Sequence, residues 1–300
     1  MKVLIIGYGS IGKRHYKILS NLKNIKEIKI ISKLNPSYVK KIVFKASDLL
    51  KYDPDYIIIS SETSKHFRQL KLLNDIFKNK IILVEKPLFS SNKQIGKINN
   101  KIFVGYNLRF HPHISFLKDY ISSDKKDKLL SVIVYVGSYM PLWRKNRNYT
   151  KVYSSKKNKG GGVEYDLSHE FDYVKWIFGK FKTVLKFNKK ISNLKISSND
   201  HLSLFGFFGK NKLININLNY YTKIPHRKLI ADFNNKTIHL DLIDNSLSIK
   251  YIDSKKNIHK KINRIERDFT YKKQHLAIIN GEFSNLCSYK DAFEDIELMI

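Results

Sequence analysis

The sequence predicts an α/β doubly wound domain with a mostly parallel sheet, followed by an α+β domain on an open, largely antiparallel sheet. Three observations predict it. A short apolar strand runs at once into the glycine pattern G-x-G-x-x-G at Gly7, Gly9 and Gly12, and a helical pattern follows. Continuous apolar runs then recur as far as Val104, as in strands buried on both faces of a parallel sheet. Beyond residue 120 the runs become short and alternate apolar with polar, the period of strands that bury one face.

The chain of 300 residues has room for two ordinary domains, read here as 1–110 and 111–300. With 42% apolar residues it can build a core. Lys and Arg number 56 against 26 Asp and Glu, a formal charge of +30. The lysines are spread along the chain, with no arginine-rich arm or basic block. That distribution favours a surface composition bias and small anionic ligands over a specific nucleic-acid groove. The single cysteine, Cys287, excludes an internal disulfide framework and a cysteine-based metal site. No apolar run approaches the ~18–20 residues that span a bilayer. A soluble, cytoplasmic protein is expected, without membrane insertion.

In the first domain, Val3 to Ile6 is the opening strand. Gly7 permits the tight turn, Gly9 lets a pyrophosphate approach the backbone, and Gly12 lets the helix lie close to the strand. Phosphates would sit on the helix N-terminus. Gly7, Tyr8, Gly9, Ser10, Ile11 and Gly12 are therefore the candidate dinucleotide-binding turn of a Rossmann domain. The second strand, EIKIIS, ends at Ser32 and Lys33, where an acidic residue would bind the ribose hydroxyl of NAD. Ser32 and Lys33 could accept a 2′-phosphate instead, so NADP is preferred to NAD. DYIIISS (55–61) is the third strand, and residues 62–77 form a helix with Leu70, Leu73 and Phe77 on one side. Ile81 to Val84 follows as a strand, with Glu85, Lys86 and Pro87 at its C-terminal end, where ligands bind in such sheets. Ile102 to Val104 closes the series, and Asn107, Arg109 and His111 lie beyond it.

The second domain carries seven strand-like segments, among them LLSVIVYVGS, LSLFGFF and KLININLNYY. Between the first and second of them lies GGGVEYDLSHEFDYVKWIFG, 160–179. Asp166, His169 and Asp172 recur there at three-residue spacing, which on one helix would place them on a shared face. A histidine flanked by carboxylates suits proton transfer at neutral pH. Asp166 also reads as a helix N-cap, a role Asp favours. A last helix is expected from about Tyr271 to Asn280. His111 and His113 straddle Pro112 without an acidic or cysteine partner at metal-site spacing, so no metal is expected.

With GYGSIGKRH, VEKPL, VGYNLRFHP and GGGVEYDLSHEFDYVKWIFG in this order, the chain resembles the Gfo/Idh/MocA family of NAD(P)-dependent sugar oxidoreductases almost from end to end. NLRFHP, LWR and DLSHE resemble a subgroup associated with bacterial surface-polysaccharide and nonulosonic-sugar biosynthesis. The resemblance implies hydride transfer between nicotinamide and a sugar or nucleotide-activated sugar. It implies catalytic roles for Lys86, His169 and Asp166, with Asp172 orienting the histidine, and a cofactor role for Glu85 and Lys86. It also implies a Lys86–Pro87 bond that is cis. Asn107, Arg109, Trp143, Arg144 and Tyr153 are the expected substrate contacts, the two arginines suiting phosphate or carboxylate. A homo-oligomer, dimer or tetramer, is expected. The alternatives are a redox-neutral epimerase or lyase that retains NAD, and a non-catalytic cofactor-binding sensor subunit. The chain departs from the family pattern in three places. DLSH holds two residues between Asp and His rather than three, Thr150 stands where the subgroup has a charged contact, and Glu164 replaces an aliphatic residue.

Overall fold

A computed structural model describes residues 1–32, 45–124, 126–143 and 147–299. The expectations on Lys33 and Arg144 lie outside the described residues. The described residues divide into two compact units, 1–110 with 267–300 and 111–266.

The first unit opens with β1 (Lys2–Ile6), α1 (Ser10–Leu19), β2 (Glu27–Ile31), α2 (Ala46–Tyr52), β3 (Tyr56–Ile59), α3 (Thr63–Ile76), β4 (Ile81–Val84) and β5 (Lys101–Val104). All four residues of β3 are buried, as are the last four of β1 and the last three of β4 and of β5. Only a sheet covered on both faces asks for such continuous apolar runs. These strands pair in parallel in the order β5-β4-β3-β1-β2. The order reverses between β1 and β3, and ligands bind beyond the strand ends at such a switch point.

The second unit holds α4 (Pro112–Ser123), β6 (Leu129–Gly137), α5 (Val163–Asp166), α6 (His169–Phe178), β7 (Lys182–Lys189), β8 (His201–Phe208), β9 (Lys212–Asn219), β10 (His226–Phe233), β11 (Lys236–Asp241), β12 (Ser246–Tyr251) and β13 (Ile258–Lys261). Its sheet runs β13-β12-β11-β10-β6-β9-β8-β7. Every pair is antiparallel except β6 with β9. Strand burial alternates, as in β8 and β10. Leu202, Leu204, Ile214, Ile216 and Leu229 are buried, while Ile133, Leu185, Phe187 and Phe205 stay exposed. Among the described residues, no helix is long and apolar enough to cross a membrane.

The chain then returns to the first unit with α7 (Phe269–Asn280), β14 (Cys287–Ser288) and α8 (Tyr289–Met299). This corrects the sequence reading, which grouped the last residues with the second domain. β14 extends the first sheet by pairing antiparallel with β5, and Ile278 and Leu286 join the core of Val3, Ile5, Tyr56, Leu83 and Phe103. Nothing in the alternation or charge of the C-terminal residues marks a return to an earlier sheet. Only the pairing does.

Candidate active site

The dinucleotide turn is built as its glycines demand. Gly7 has φ +97° and donates its N–H to Ile31 O at 2.9 Å. A Cβ there would stand 2.7 Å from Ser60 O. Gly12 is pressed on the turn itself, since a Cβ would lie 2.1 Å from Gly7 O. Gly9 precedes α1, and a Cβ there would meet nothing within 4 Å. The turn is thus closed at Gly7 and Gly12 and open at Gly9, above the first N–H groups of a ten-residue helix. That arrangement fits a dinucleotide pyrophosphate. Ser10 and Ile11 form the first turn of α1. The Tyr8 ring lies in the core of the unit, edge-on to Tyr16, so its expected cofactor role reduces to main chain. Ser32 is half-buried just beyond β2.

At the C-terminal end of β4, Lys86 is half-buried and the Lys86–Pro87 bond is cis. The Glu85 side chain turns into the unit. Its Oε1 lies 2.9 Å from His15 Nε2, and a Cβ on Gly105 would come within 2.9 Å of the same oxygen. A cofactor role for Glu85 therefore rests on its main chain and on its neighbour. Asn107 and Arg109 are also turned inward. The Asn107 amide donates to Thr270 Oγ1 at 2.6 Å, and the buried Arg109 guanidinium donates to Leu286 O at 3.2 Å. These two expected substrate contacts fasten the returning segment instead.

In the second unit the stretch 160–179 is two helices rather than one. Gly162, at φ +147°, leads into the single turn of α5, and the chain breaks at Leu167 and Ser168 before α6. Asp166 and His169 therefore do not share one helical face as the spacing suggested, whereas His169 and Asp172 both lie on α6. Asp166 is not a helix cap, since it ends α5 and Ser168 precedes α6. Its carboxylate instead accepts two phenol hydroxyls, Tyr153 at 2.9 Å on Oδ1 and Tyr220 at 2.7 Å on Oδ2. Burial, and then the charge of Asp166, hold the Tyr220 hydroxyl well above the usual phenol range. Tyr220 stays a proton donor to the carboxylate. His169 and Asp172 are buried, and Glu170 is fully buried and paired with Arg227 Nε at 2.8 Å.

Glu164 is buried, with Oε1 accepting from Asn199 at 3.2 Å. Burial, reinforced by the charge of Asp166, pushes its carboxyl up to about 7. The Tyr220 ring meets Trp143 edge-on at 5.0 Å, and the Trp143 indole donates to Ser138 Oγ at 2.8 Å. Trp143 and Tyr153 line a recess shared with Met140, Arg147, Tyr149 and Ser154. The structure thus brings Asp166, Tyr153 and Trp143 together, and adds Tyr220, Arg147 and Glu164. Tyr220 follows β9 in sequence and carries no motif, so only the sheet register brings it to Asp166. Arg147 was readable as a third basic contact beside Arg144. His111 caps α4, accepting from His113 N–H at 3.3 Å, and His113 Nε2 lies 2.8 Å from Asn245 O. Among the described residues, no three His, Cys, Asp or Glu side chains could together hold a metal ion.

Two family descriptions match the chain in order. An oxidoreductase-family NAD-binding Rossmann fold matches residues 1–101, and the C-terminal α/β domain of the same family matches 125–229. The chain belongs to the Gfo/Idh/MocA oxidoreductase family. Glucose-6-phosphate 3-dehydrogenase of Bacillus subtilis (strain 168) is 25% identical over 235 residues, which span 72% of this chain and 66% of that protein. The chain therefore covers just under two thirds of that relative. The structure of levoglucosan dehydrogenase in complex with NADH superposes with a TM-score of 0.79 at 14% identity, covering 100% of this chain and 95% of the other. The WlbA dehydrogenase of Bordetella pertussis, in complex with NADH and UDP-GlcNAcA, gives 0.77 at 15% identity, with 100% and 94% covered. At these identities the two structures show a shared fold.

Proposed function

We propose that the protein is an NAD(P)-dependent dehydrogenase or reductase of a sugar or nucleotide-activated sugar, acting in the cytoplasm on precursors of surface glycans. The observation that carries the reading is the Asp166 carboxylate fixed by two tyrosines, separated from His169 only by the break at Leu167 and Ser168. The names of the relatives, which include a sugar-phosphate dehydrogenase and a protein bound to a uridine-diphosphate sugar, support the substrate class. Gly7, Gly9, Gly12 and the first turn of α1 would hold the dinucleotide, and nicotinamide supplies the acceptor or donor of the hydride. Ser32 and Lys33 favour NADP.

Oxidation of a secondary alcohol needs its O–H proton removed as the C–H bond breaks. We assign that proton to His169, whose type titrates near ~6.5 when unperturbed, with Asp172 orienting the ring. Lys86 stabilises the alkoxide character of the reacting oxygen. Asp166, immobilised by Tyr153 and Tyr220, orients the sugar or the histidine. Trp143, Tyr153 and Arg147 offer an aromatic and cationic recess for the remainder of an anionic substrate.

The test is nicotinamide absorbance with a panel of keto-sugars, sugar phosphates and nucleotide sugars, with NADPH and NADH in parallel. Stoichiometric consumption with one member establishes the activity. Conversion of sugar with no net nicotinamide change moves the assignment to a redox-neutral reaction. Full turnover in both Lys86→Ala and His169→Ala overturns the site. We further propose that the exposed face of the second sheet, with Leu185, Phe187, Phe205 and Ile133, pairs with a second copy of the chain.

A further inference from the structure

Lys86 has a buried histidine holding its chain neighbours on each side. On the N-terminal side, Glu85 N–H donates to Ile59 O at 2.8 Å and the Glu85 carboxylate rests on His15 Nε2 at 2.9 Å. His15 Nδ1 lies 2.9 Å from His275 Nε2, and His275 Nδ1 lies 2.9 Å from Tyr56 Oη. Tyr56, His15 and His275 are fully buried. With both rings neutral, one assignment satisfies every atom of this line. The Tyr56 hydroxyl donates to His275 Nδ1, His275 Nε2–H donates to His15 Nδ1, and His15 Nε2–H donates to Glu85 Oε1. Burial holds His275 well below the ordinary histidine range, which keeps that ring neutral as the assignment requires.

On the C-terminal side, His66 is buried with Nδ1 at 3.0 Å from Pro87 O and 3.2 Å from Leu88 O, while Nε2 lies 3.1 Å from Ser61 O. Ser61 follows Ser60, the residue packed on Gly7. Burial lowers the His66 pKa and leaves the ring a single N–H; as Nδ1–H it donates to Pro87 O and tethers the segment after Lys86 to α3. Hydrogen bonds within the returning C-terminal segment alone would not explain these anchors, because both converge on the two flanks of one lysine.

We propose that His15 and His66 are positioning residues that clamp Lys86 from both sides, with His275 and Tyr56 fixing the tautomer of His15. The proposal rests on the reading of Lys86 as the residue that stabilises the reacting oxygen. A misplacement of about 1 Å in such a group costs on the order of 100-fold in rate. The clamp therefore acts on turnover through the position of the Lys86 amine.

The experiment compares removal of each donor with its retention. His66→Phe and His15→Leu remove the anchors. His66→Asn keeps a donor near Nδ1, and His15→Gln keeps one near Nε2. For the first pair kcat is expected to fall about 10- to 100-fold. The second pair is expected to recover most of the loss. The competitive labelling rate of the Lys86 amine against pH, read by peptide mass spectrometry, is expected to move in the removal variants and to return in the conservative ones. This second reading needs no turnover. Where a removal variant folds poorly, the reading is taken on Tyr56→Phe, which removes the donor to His275 and keeps the ring; a moved profile supports the line to His15 and an unchanged one overturns it. Unchanged kcat and an unchanged labelling profile in folded variants overturn the clamp. Full activity of Lys86→Ala would overturn the underlying role of Lys86 and leave the labelling result to judge the clamp separately.

Discussion

At the scale of single residues, the second unit sets two carboxyl groups on one helical turn in opposite surroundings. Asp166 receives two phenol donors, while Glu164 is buried with the Asn199 amide at 3.2 Å. The space for the Glu164 carboxyl exists because residue 162 is glycine, since a Cβ there would lie 2.5 Å from Oε2. Holding Glu164 up from 4.5 to about 7 makes the folded state bind its proton more tightly than the unfolded chain does. Stability from this group is full below the unfolded value and is lost as pH rises through the folded one. At pH 8 the shift corresponds to a penalty on the order of 3 kcal/mol. Glu164→Gln should therefore raise the thermal midpoint at pH 8 and leave it nearly unchanged at pH 4, as differential scanning calorimetry would read. Tyr220→Phe removes a donor from a carboxylate, an interaction of about 1.5–3 kcal/mol. Its kcat should fall by about 10- to 100-fold with the fold intact by circular dichroism, and a rate within twofold of the parent would remove Tyr220 from the site.

At the scale of elements, the glycine turn and α1 act as one piece. A methyl group at residue 12 would sit 2.1 Å from the Gly7 carbonyl oxygen, and backbone atoms cannot step aside as a side-chain end can. Gly12→Ala should shift α1 off β1, costing at least about 1–3 kcal/mol, and should weaken dinucleotide binding in a fluorescence titration. Gly9→Ala meets no protein atom within 4 Å, so it should leave the thermal midpoint near the parent value while reducing cofactor affinity. These elements were legible because period and punctuation are local. Apolar runs marked β1, β3 and β4, and alternation marked β6 and β8 to β12. The break between α5 and α6 was not legible. Leu167 and Ser168 are ordinary helix residues, and the turn at Gly162 with the Asp166 anchors decides where α5 ends.

At the scale of the whole molecule, the returning segment 267–300 completes the first unit. It contributes Ile278 and Leu286 to the core, each such burial being worth about 1.5–3 kcal/mol. It also supplies His275 to the Glu85 line and Thr270 to Asn107. A chain ending at Glu266 should lose cooperative unfolding of its nucleotide-binding unit and its affinity for nicotinamide dinucleotides, even though it keeps every residue of the glycine turn. Retained cofactor affinity in that truncation would show the segment to be dispensable. On the second sheet, Leu185→Lys with Phe205→Lys should move the protein to a smaller species in sedimentation velocity. An unchanged sedimentation coefficient would place any self-association elsewhere.

The amino-acid sequence by itself determined the glycine turn, the order of buried and half-buried strands, the placement of Lys86 at a strand end and the presence of His169 on a helix. Each of these depends on neighbours within a few residues, through backbone conformation, side-chain period or the chemistry of a short motif. Tertiary structure alone decided that Asp166 takes Tyr153 and Tyr220 rather than a helix cap. It also decided that Asn107 and Arg109 fasten the C-terminal segment, and that Glu85 rests on a line of histidines ending at Tyr56. Those partners lie from 13 to 260 residues apart in the chain, and only sheet pairing and burial bring them within hydrogen-bonding distance.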